Sequence, residues 1–252
     1  MELSTMKLFL TSSIGGSYVE NGSRYPCGLD NSNHFLDLLK GHWTIDSKCL
    51  ILSSDPEDIE LNDSFKVMFE EAFKISDFSL SEIEVCDVRN MSSLEEMLYD
   101  YDVIIIAGGH VPIQNKFYNS INLKNLLKIY SGIIISISAG TMNCADVVYA
   151  QPELEGEATN PKYQKYINGL DLTKINILPH YQELKDLTLD GLRVIEDISL
   201  PDSFIRPFYA LVDGAFIYVE NHESIIYGEA YLLQDGTITK VCDTDKHFQI
   251  IN

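Results

Sequence analysis

Apolar positions in this chain fall in short unbroken runs separated by amphipathic stretches, rather than in strict alternation. The runs at 7–12, 49–53, 83–88, 103–107 and from Ile133 to Ile135 each have strand length and β-branched content. Continuous apolar runs are expected of parallel strands covered by helices on both faces. Between them lie helical patterns. Residues 31–40 space Phe35, Leu36, Leu38 and Leu39 helically, and 62–75 put Phe65, Met68, Phe69, Ala72 and Phe73 on one face. Ser92-Ser93-Leu94-Glu95 reads as a capping box, and helical sequence leads from Gly109 to Tyr130. A polar, glycine-bearing segment at 14–30 reads as a loop. Alternation of this kind implies right-handed crossovers and an open, twisted sheet. Ligands of such sheets sit beyond the carboxyl ends of the strands. Three of these ends carry suggestive groups: Ser12-Ser13, Gly108-Gly109 and Ser138.

The pattern changes towards the end of the chain. Residues 175–178 form a short apolar run that stops at Pro179-His180. Strands are then expected at 209–212, 216–219, 224–227, 230–233 and 237–241, punctuated by Asp213-Gly214, Asn221-His222 and Asp235-Gly236. Such dipeptides are hairpin-turn signals. The fold expected is α/β, an open and mostly parallel sheet with helices on both faces and antiparallel strands at the C-terminal end. The whole of 1–252 reads as a single domain, with an α/β core over 6–200 and an antiparallel extension over 208–242.

Composition narrows the function classes. A chain of 252 residues can bury a core without disulfides or metals. Thirty-eight acids against 18 Lys and Arg leave a formal charge of −20, which argues against nucleic acid or an anionic membrane as partner. Cys27, Cys49, Cys86, Cys144 and Cys242 are odd in number, scattered and without a Cys-x-x-Cys pair, as expected of reduced thiols in the cytosol. The first residues, 1–6, lack a signal-peptide pattern, and no apolar run approaches membrane-spanning length. A cytoplasmic protein is therefore expected.

The candidate chemistry centres on Gly132 to Thr141. Here a buried strand runs into Ser138-Ala139-Gly140, a small-residue turn opening a helix, which is the layout of a nucleophile elbow. The alternative role for Ser138 is that of a helix N-cap. A nucleophilic serine needs a base and an orienting acid. His180, at a strand end, is the first candidate base, and His110, beside Gly109 at another strand end, is its competitor. For the acid, Asp146, Glu153, Glu155 and Glu157 all lie between Ser138 and His180, and Asp146 is expected to face solvent. Gly108-Gly109 is either a tight turn or the source of an oxyanion donor, the Gly109 N–H, with the Ala139 N–H as its counterpart. The sequence shows no metal-ligand spacing, phosphate loop or dinucleotide fingerprint, so neither metal nor cofactor is expected.

Three motifs, Ala107-Gly108-Gly109-His110, Ile135-Ser136-Ile137-Ser138-Ala139-Gly140-Thr141 and Leu178-Pro179-His180-Tyr181, together resemble in order and spacing the dipeptidase E and cyanophycinase family of serine peptidases. The resemblance spans residues 6–241. It implies a class I glutamine amidotransferase-like, flavodoxin-like sheet with serine in place of cysteine at the elbow. It also implies a triad of Ser138, His180 and Glu153, with Gly109 and Ala139 as oxyanion donors. The chain departs from the family in placing His110 after the glycine pair, where many relatives have Asn or Asp. Neither Arg193 nor Arg206 matches the arginine with which the aspartate-specific branch holds its substrate. The implied activity is hydrolysis of short peptides. The partner implied is a small peptide substrate, without nucleic acid or membrane, and a homodimer is compatible with it. The rival functions are an amidase or esterase on the same sheet and a non-catalytic binding or regulatory relative.

Overall fold

The computed structural model describes residues 6–251. Residues 1–5, on which most of the expectation about the first six residues falls, and residue 252 lie outside the described part. The main sheet has eight strands, in the order His247–Ile250, Glu223–Tyr227, Phe216–Glu220, Lys7–Thr11, Ile133–Ile137, Val103–Ile106, Ser47–Leu52, Leu80–Cys86. The last five are mutually parallel, and the first three pair antiparallel. The strand Ile133–Ile137 lies between two parallel neighbours, with Ile137 opposite Thr11 and Ser136 opposite Ile106.

The continuous apolar runs follow from burial on both faces. Leu8, Leu10, Leu50, Leu52, Ile104, Ile106 and Ile134 pack on one side with Phe117, Tyr118, Leu123 and Leu127. Phe9, Ile51, Val103, Ile105 and Ile135 pack on the other with Phe35, Leu39, Ala72 and Phe73. Each fully buried Leu, Ile, Val or Phe among them contributes about 1.5–3 kcal/mol of transfer free energy. The helices Val111–Ser120 and Leu123–Leu127 occupy the stretch read as one helical run, and the break comes at Asn122, whose φ is 53°.

Two segments differ from the sequence reading. The segment 14–30 is a β-hairpin, Gly15–Glu20 with Ser23–Leu29, lying over the helix Ile59–Ile75. Its strand character was hidden because most of its residues are exposed and Gly15, Gly16, Pro26 and Gly28 interrupt it, so it has little apolar periodicity. The hairpin is fixed to the helix by the Leu29 N–H donating to Ser76 Oγ at 2.8 Å. The C-terminal strands are mostly antiparallel, as expected, but their division was not foreseen. They divide between the main sheet and a second sheet, in the order Asn176–Leu178, Phe208–Leu211, Ala230–Gln234, Thr237–Cys242. The first pair of that second sheet is parallel, with Leu178 opposite Ala210. The strand His247–Ile250, at the edge of the main sheet, had no clear pattern in the sequence.

All five cysteines are free thiols. Burial pushes the Cys86 and Cys144 thiols up to about 12, so they are inert core groups. Among the described residues no helix is long and apolar enough to cross a membrane.

Candidate active site

The elbow is built by the strand Ile133–Ile137 and the helix Ala139–Asn143 that follows it. Ser138, at the corner, has φ 51° and ψ −116°. This is a conformation that an L-residue holds only when its surroundings enforce it. The enforcement is visible. The Ser138 N–H donates to Thr11 O at 3.1 Å, and the Met142 N–H donates back to Ser138 O at 3.1 Å. Below the turn, Thr11 Oγ1 donates to Ser136 O at 2.7 Å, Thr141 Oγ1 donates to Thr11 O at 2.8 Å, and Ser136 Oγ donates to Phe9 O at 2.9 Å. Gly140 lets the helix start close against the neighbouring strand, since a Cβ there would clash with Ile106 O and lie 2.7 Å from Ala107 O. Ser138 occupies the N-cap position, yet its hydroxyl makes no cap bond. It lies instead 2.9 Å from His180 Nε2.

His180 follows the strand Asn176–Leu178 and adopts φ 58° at the start of the helix Tyr181–Leu184. Its backbone N–H donates to Ser12 Oγ at 2.8 Å, and its Nδ1 lies 2.7 Å from Asp213 Oδ1. An ionised carboxylate can only accept, so the Nδ1 carries the proton and the neutral ring presents a lone pair at Nε2 to Ser138. Ser12 Oγ in turn donates to Asp213 Oδ1 at 2.7 Å, and the Asp213 N–H donates to Gln182 Oε1 at 3.0 Å. Partial burial works to lower the His180 pKa, but the hydrogen bond and charge of Asp213 outweigh it and the pKa is raised. Burial works to raise that of Asp213, but its hydrogen bonds from His180 and Ser12 outweigh it and the carboxyl is held below its ordinary range.

The carboxylate that meets His180 is therefore that of Asp213, which the sequence reading did not name, and not that of Glu153. Among the described residues no group hydrogen-bonds to the Glu153 carboxylate; it opens into the cavities beside Ser138 and His180. Loss of hydration from the surrounding protein raises its pKa although the residue reaches solvent, and Glu157 pushes the same way against His110 and His180. Glu157 is occupied elsewhere. Its Oε1 lies 2.9 Å from His110 Nε2, and its Oε2 accepts from the N–H groups of Glu153 and Leu154 at 2.8 and 2.9 Å. His110 therefore ties down the loop at 151–157 and does not meet Ser138. Glu155 is exposed. Asp146 pairs with Arg206 at 3.1 Å and Lys174 at 3.3 Å, away from the serine.

The glycine pair closes the near side. A Cβ on Gly109 would lie 2.7 Å from Ser54 Oγ, and one on Gly108 3.3 Å from Ser138 Cβ. Gly109 and Ala139 both border Ser138 in a small cavity of about 70 Å³ with Val111, Met142, Pro152 and Leu187. The Ala139 N–H heads a helix, where the first amides lack intrahelical acceptors. A second, larger cavity of about 430 Å³ also reaches Ser138 and His180. Its walls include Phe65, Met68 and Phe69 of the helix Ile59–Ile75 and Gly15, Gly16, Ser17 and Arg24 of the hairpin. The apolar face of that helix is therefore divided: Ala72 and Phe73 enter the core, and the preceding aromatic turns line the cavity.

The fold is similar to the crystal structure of a candidate peptidase E protein from Listeria monocytogenes EGD-e, with a TM-score of 0.57 and 16% identity, covering 88% of this chain and 97% of that one. At that identity the likeness is one of fold. No curated protein matches the sequence. Residues 58–227, which contain the glycine pair, the elbow, His180 and Asp213, match the family model for peptidase family S51, and the chain belongs to that family.

Proposed function

We propose that this protein is a serine peptidase acting on short peptides through Ser138, His180 and Asp213. The observation that carries the reading is the hydrogen-bonded chain from Ser138 Oγ to His180 Nε2 at 2.9 Å and from His180 Nδ1 to Asp213 Oδ1 at 2.7 Å. His180 takes the Ser138 proton as Oγ attacks the carbonyl carbon. Asp213 holds the Nδ1–H tautomer and stabilises the imidazolium. The N–H groups of Gly109 and Ala139 receive the oxyanion of the tetrahedral intermediate. When it collapses, His180 passes its proton to the leaving amine, and an acyl group remains on Ser138. Water, deprotonated by His180, then releases the second product and restores the serine.

Glu153, the acid implied by the resemblance, is outside this relay and shapes the charge of the cavity. The confined site between the hairpin, the helix Ile59–Ile75 and the loop at 151–157 favours short peptides over folded proteins. Five thiols without a disulfide support a cytoplasmic setting.

The test is to incubate the protein with a panel of unblocked dipeptides and tripeptides and with aryl esters, and to label it with a fluorophosphonate. Peptide cleavage and labelling, both absent in Ser138→Ala, support the proposal. Turnover of esters alone would make the protein an esterase on this sheet, and absence of both turnover and labelling would make it a non-catalytic relative.

A further inference from the structure

The three members of the relay come from three parts of the chain, and one strand end touches all of them. That strand, Lys7–Thr11, lies between Ile133–Ile137 and Phe216–Glu220 in the main sheet. Thr11 O accepts the Ser138 N–H at 3.1 Å, and Ser13 O accepts the N–H of Gly214, the neighbour of Asp213, at 3.2 Å. Between these two, Ser12 uses its side chain. Its Oγ accepts the His180 backbone N–H at 2.8 Å and donates to Asp213 Oδ1 at 2.7 Å. The direction of both bonds is fixed. A backbone N–H only donates and a carboxylate only accepts, so the single hydroxyl proton of Ser12 goes to Asp213.

The surroundings make this hydroxyl more than a satisfied polar group. Ser12 is 0% exposed, and its own N–H donates to Ala215 O at 3.2 Å, so it is anchored to the corner that carries the acid. The oxygen it reaches, Asp213 Oδ1, is the one that His180 Nδ1 approaches at 2.7 Å. The backbone it holds is strained, since His180 is a non-glycine residue at φ 58°. One bond therefore fixes where the His180 side chain starts, and the other fixes the carboxylate that its ring meets. Together they determine whether Nε2 arrives 2.9 Å from Ser138 Oγ. Ser12 lines neither of the two cavities that reach Ser138, so it has no contact with a substrate held there.

Resting on the peptidase reading above, we infer that Ser12 is a positioning residue for the reaction, one hydroxyl that sets the base and its acid in register. It acts through His180 and Asp213 and takes no proton from the substrate.

The test compares wild type, Ser12→Ala and Ser12→Cys, with Asp213→Asn alone and combined with Ser12→Ala. On a cleaved peptide, Ser12→Ala is expected to lower kcat on the order of 10–100-fold, the loss of a hydrogen bond to a charged group, with KM within about twofold of wild type. Ser12→Cys, which fills the same buried site with a weak donor and acceptor, should lie between the two. In the Asp213→Asn background the same alanine substitution should cost several-fold less, because its main partner is already lost. An unchanged kcat, a loss carried by KM, or an equal loss in both backgrounds overturns the inference. The low-field proton resonance of His180 Nδ1–H reads the same register without substrate. It should move upfield or broaden in Ser12→Ala, and a resonance identical to that of wild type also overturns the inference. Where Ser12→Ala does not fold, Ser12→Cys carries every readout. A resonance that depends on Ser12 in a protein that neither cleaves peptides nor reacts with a fluorophosphonate would sink the peptidase reading alone. Normal cleavage by both Ser12 variants would sink this inference alone.

Discussion

His180 and Asp213 meet because the short strands that carry them run parallel. Leu178 is opposite Ala210 in the second sheet, so the residues just beyond both strands emerge at one edge, and His180 Nδ1 and Asp213 Oδ1 come within 2.7 Å. The corner at Asp213 then crosses to the main sheet. The Ala215 N–H donates to Val212 O, the Gly214 N–H to Ser13 O, and the Ser12 N–H to Ala215 O. These bonds fasten the acid to the end of the strand Lys7–Thr11, beside the elbow.

The identity of the orienting acid is directly testable. Asp213→Asn cannot accept from Nδ1–H as a carboxylate does, and the expected loss in kcat is on the order of 10⁴. Glu153→Gln is expected to cost less than about tenfold, since no group in the relay bonds to it. Single-turnover acylation measures both. A normal rate in Asp213→Asn together with a collapse in Glu153→Gln would restore Glu153 to the triad.

The pH dependence has a definite sign. The His180 pKa is raised from 6.5, so the neutral base, and with it the acylation rate, should appear as pH rises through a value above 6.5. Removing the charge in Asp213→Asn leaves the burial cost, and the apparent pKa should shift down. For stability, the His180 contribution is fully present below 6.5 and is lost as pH rises through the raised value. The lowered Asp213 pKa contributes above 3.8 and is lost as pH falls through the depressed value. The pair is therefore most stabilising between those limits. Fluorophosphonate labelling rate against pH, and unfolding at pH 5 and 8 in wild type and Asp213→Asn, check the two halves.

Strain at Ser138 predicts a stability difference between two inactive variants. Both Ser138→Ala and Ser138→Gly lose the hydroxyl and are expected to lose a factor on the order of 10⁶ in turnover. Only glycine relaxes φ 51° with ψ −116°, which holds about 1–3 kcal/mol. Ser138→Gly should therefore unfold at higher denaturant than Ser138→Ala. Equal midpoints would mean that the corner is not strained.

His110 should affect the loop and not the chemistry. Removing its bond to Glu157 frees the clamp that holds the Glu153 and Leu154 N–H groups. His110→Ala is expected to raise KM for peptides by several-fold while small-probe labelling of Ser138 stays within about twofold of wild type. Loss of labelling equal to that of His180→Ala would return His110 to the relay.

Much of this architecture was written locally. Each parallel strand must be apolar on both faces, so the strands Lys7–Thr11, Ser47–Leu52, Val103–Ile106 and Ile133–Ile137 were readable as runs. The elbow was readable because a tight strand-to-helix corner needs small residues around the serine, and Gly140 fits where no Cβ can. His180 was readable from its place at a strand end. The carboxylate that meets His180 was not, because its signal, Asp213-Gly214, is also a hairpin-turn signal. Gly214 does turn, with φ 82°, but the strands on either side belong to different sheets. Whether an aspartate before a glycine closes a hairpin or faces a histidine depends on which strands pair. That pairing is decided by contacts between residues far apart in the chain, such as Asn176–Leu178 choosing a parallel partner in Phe208–Leu211.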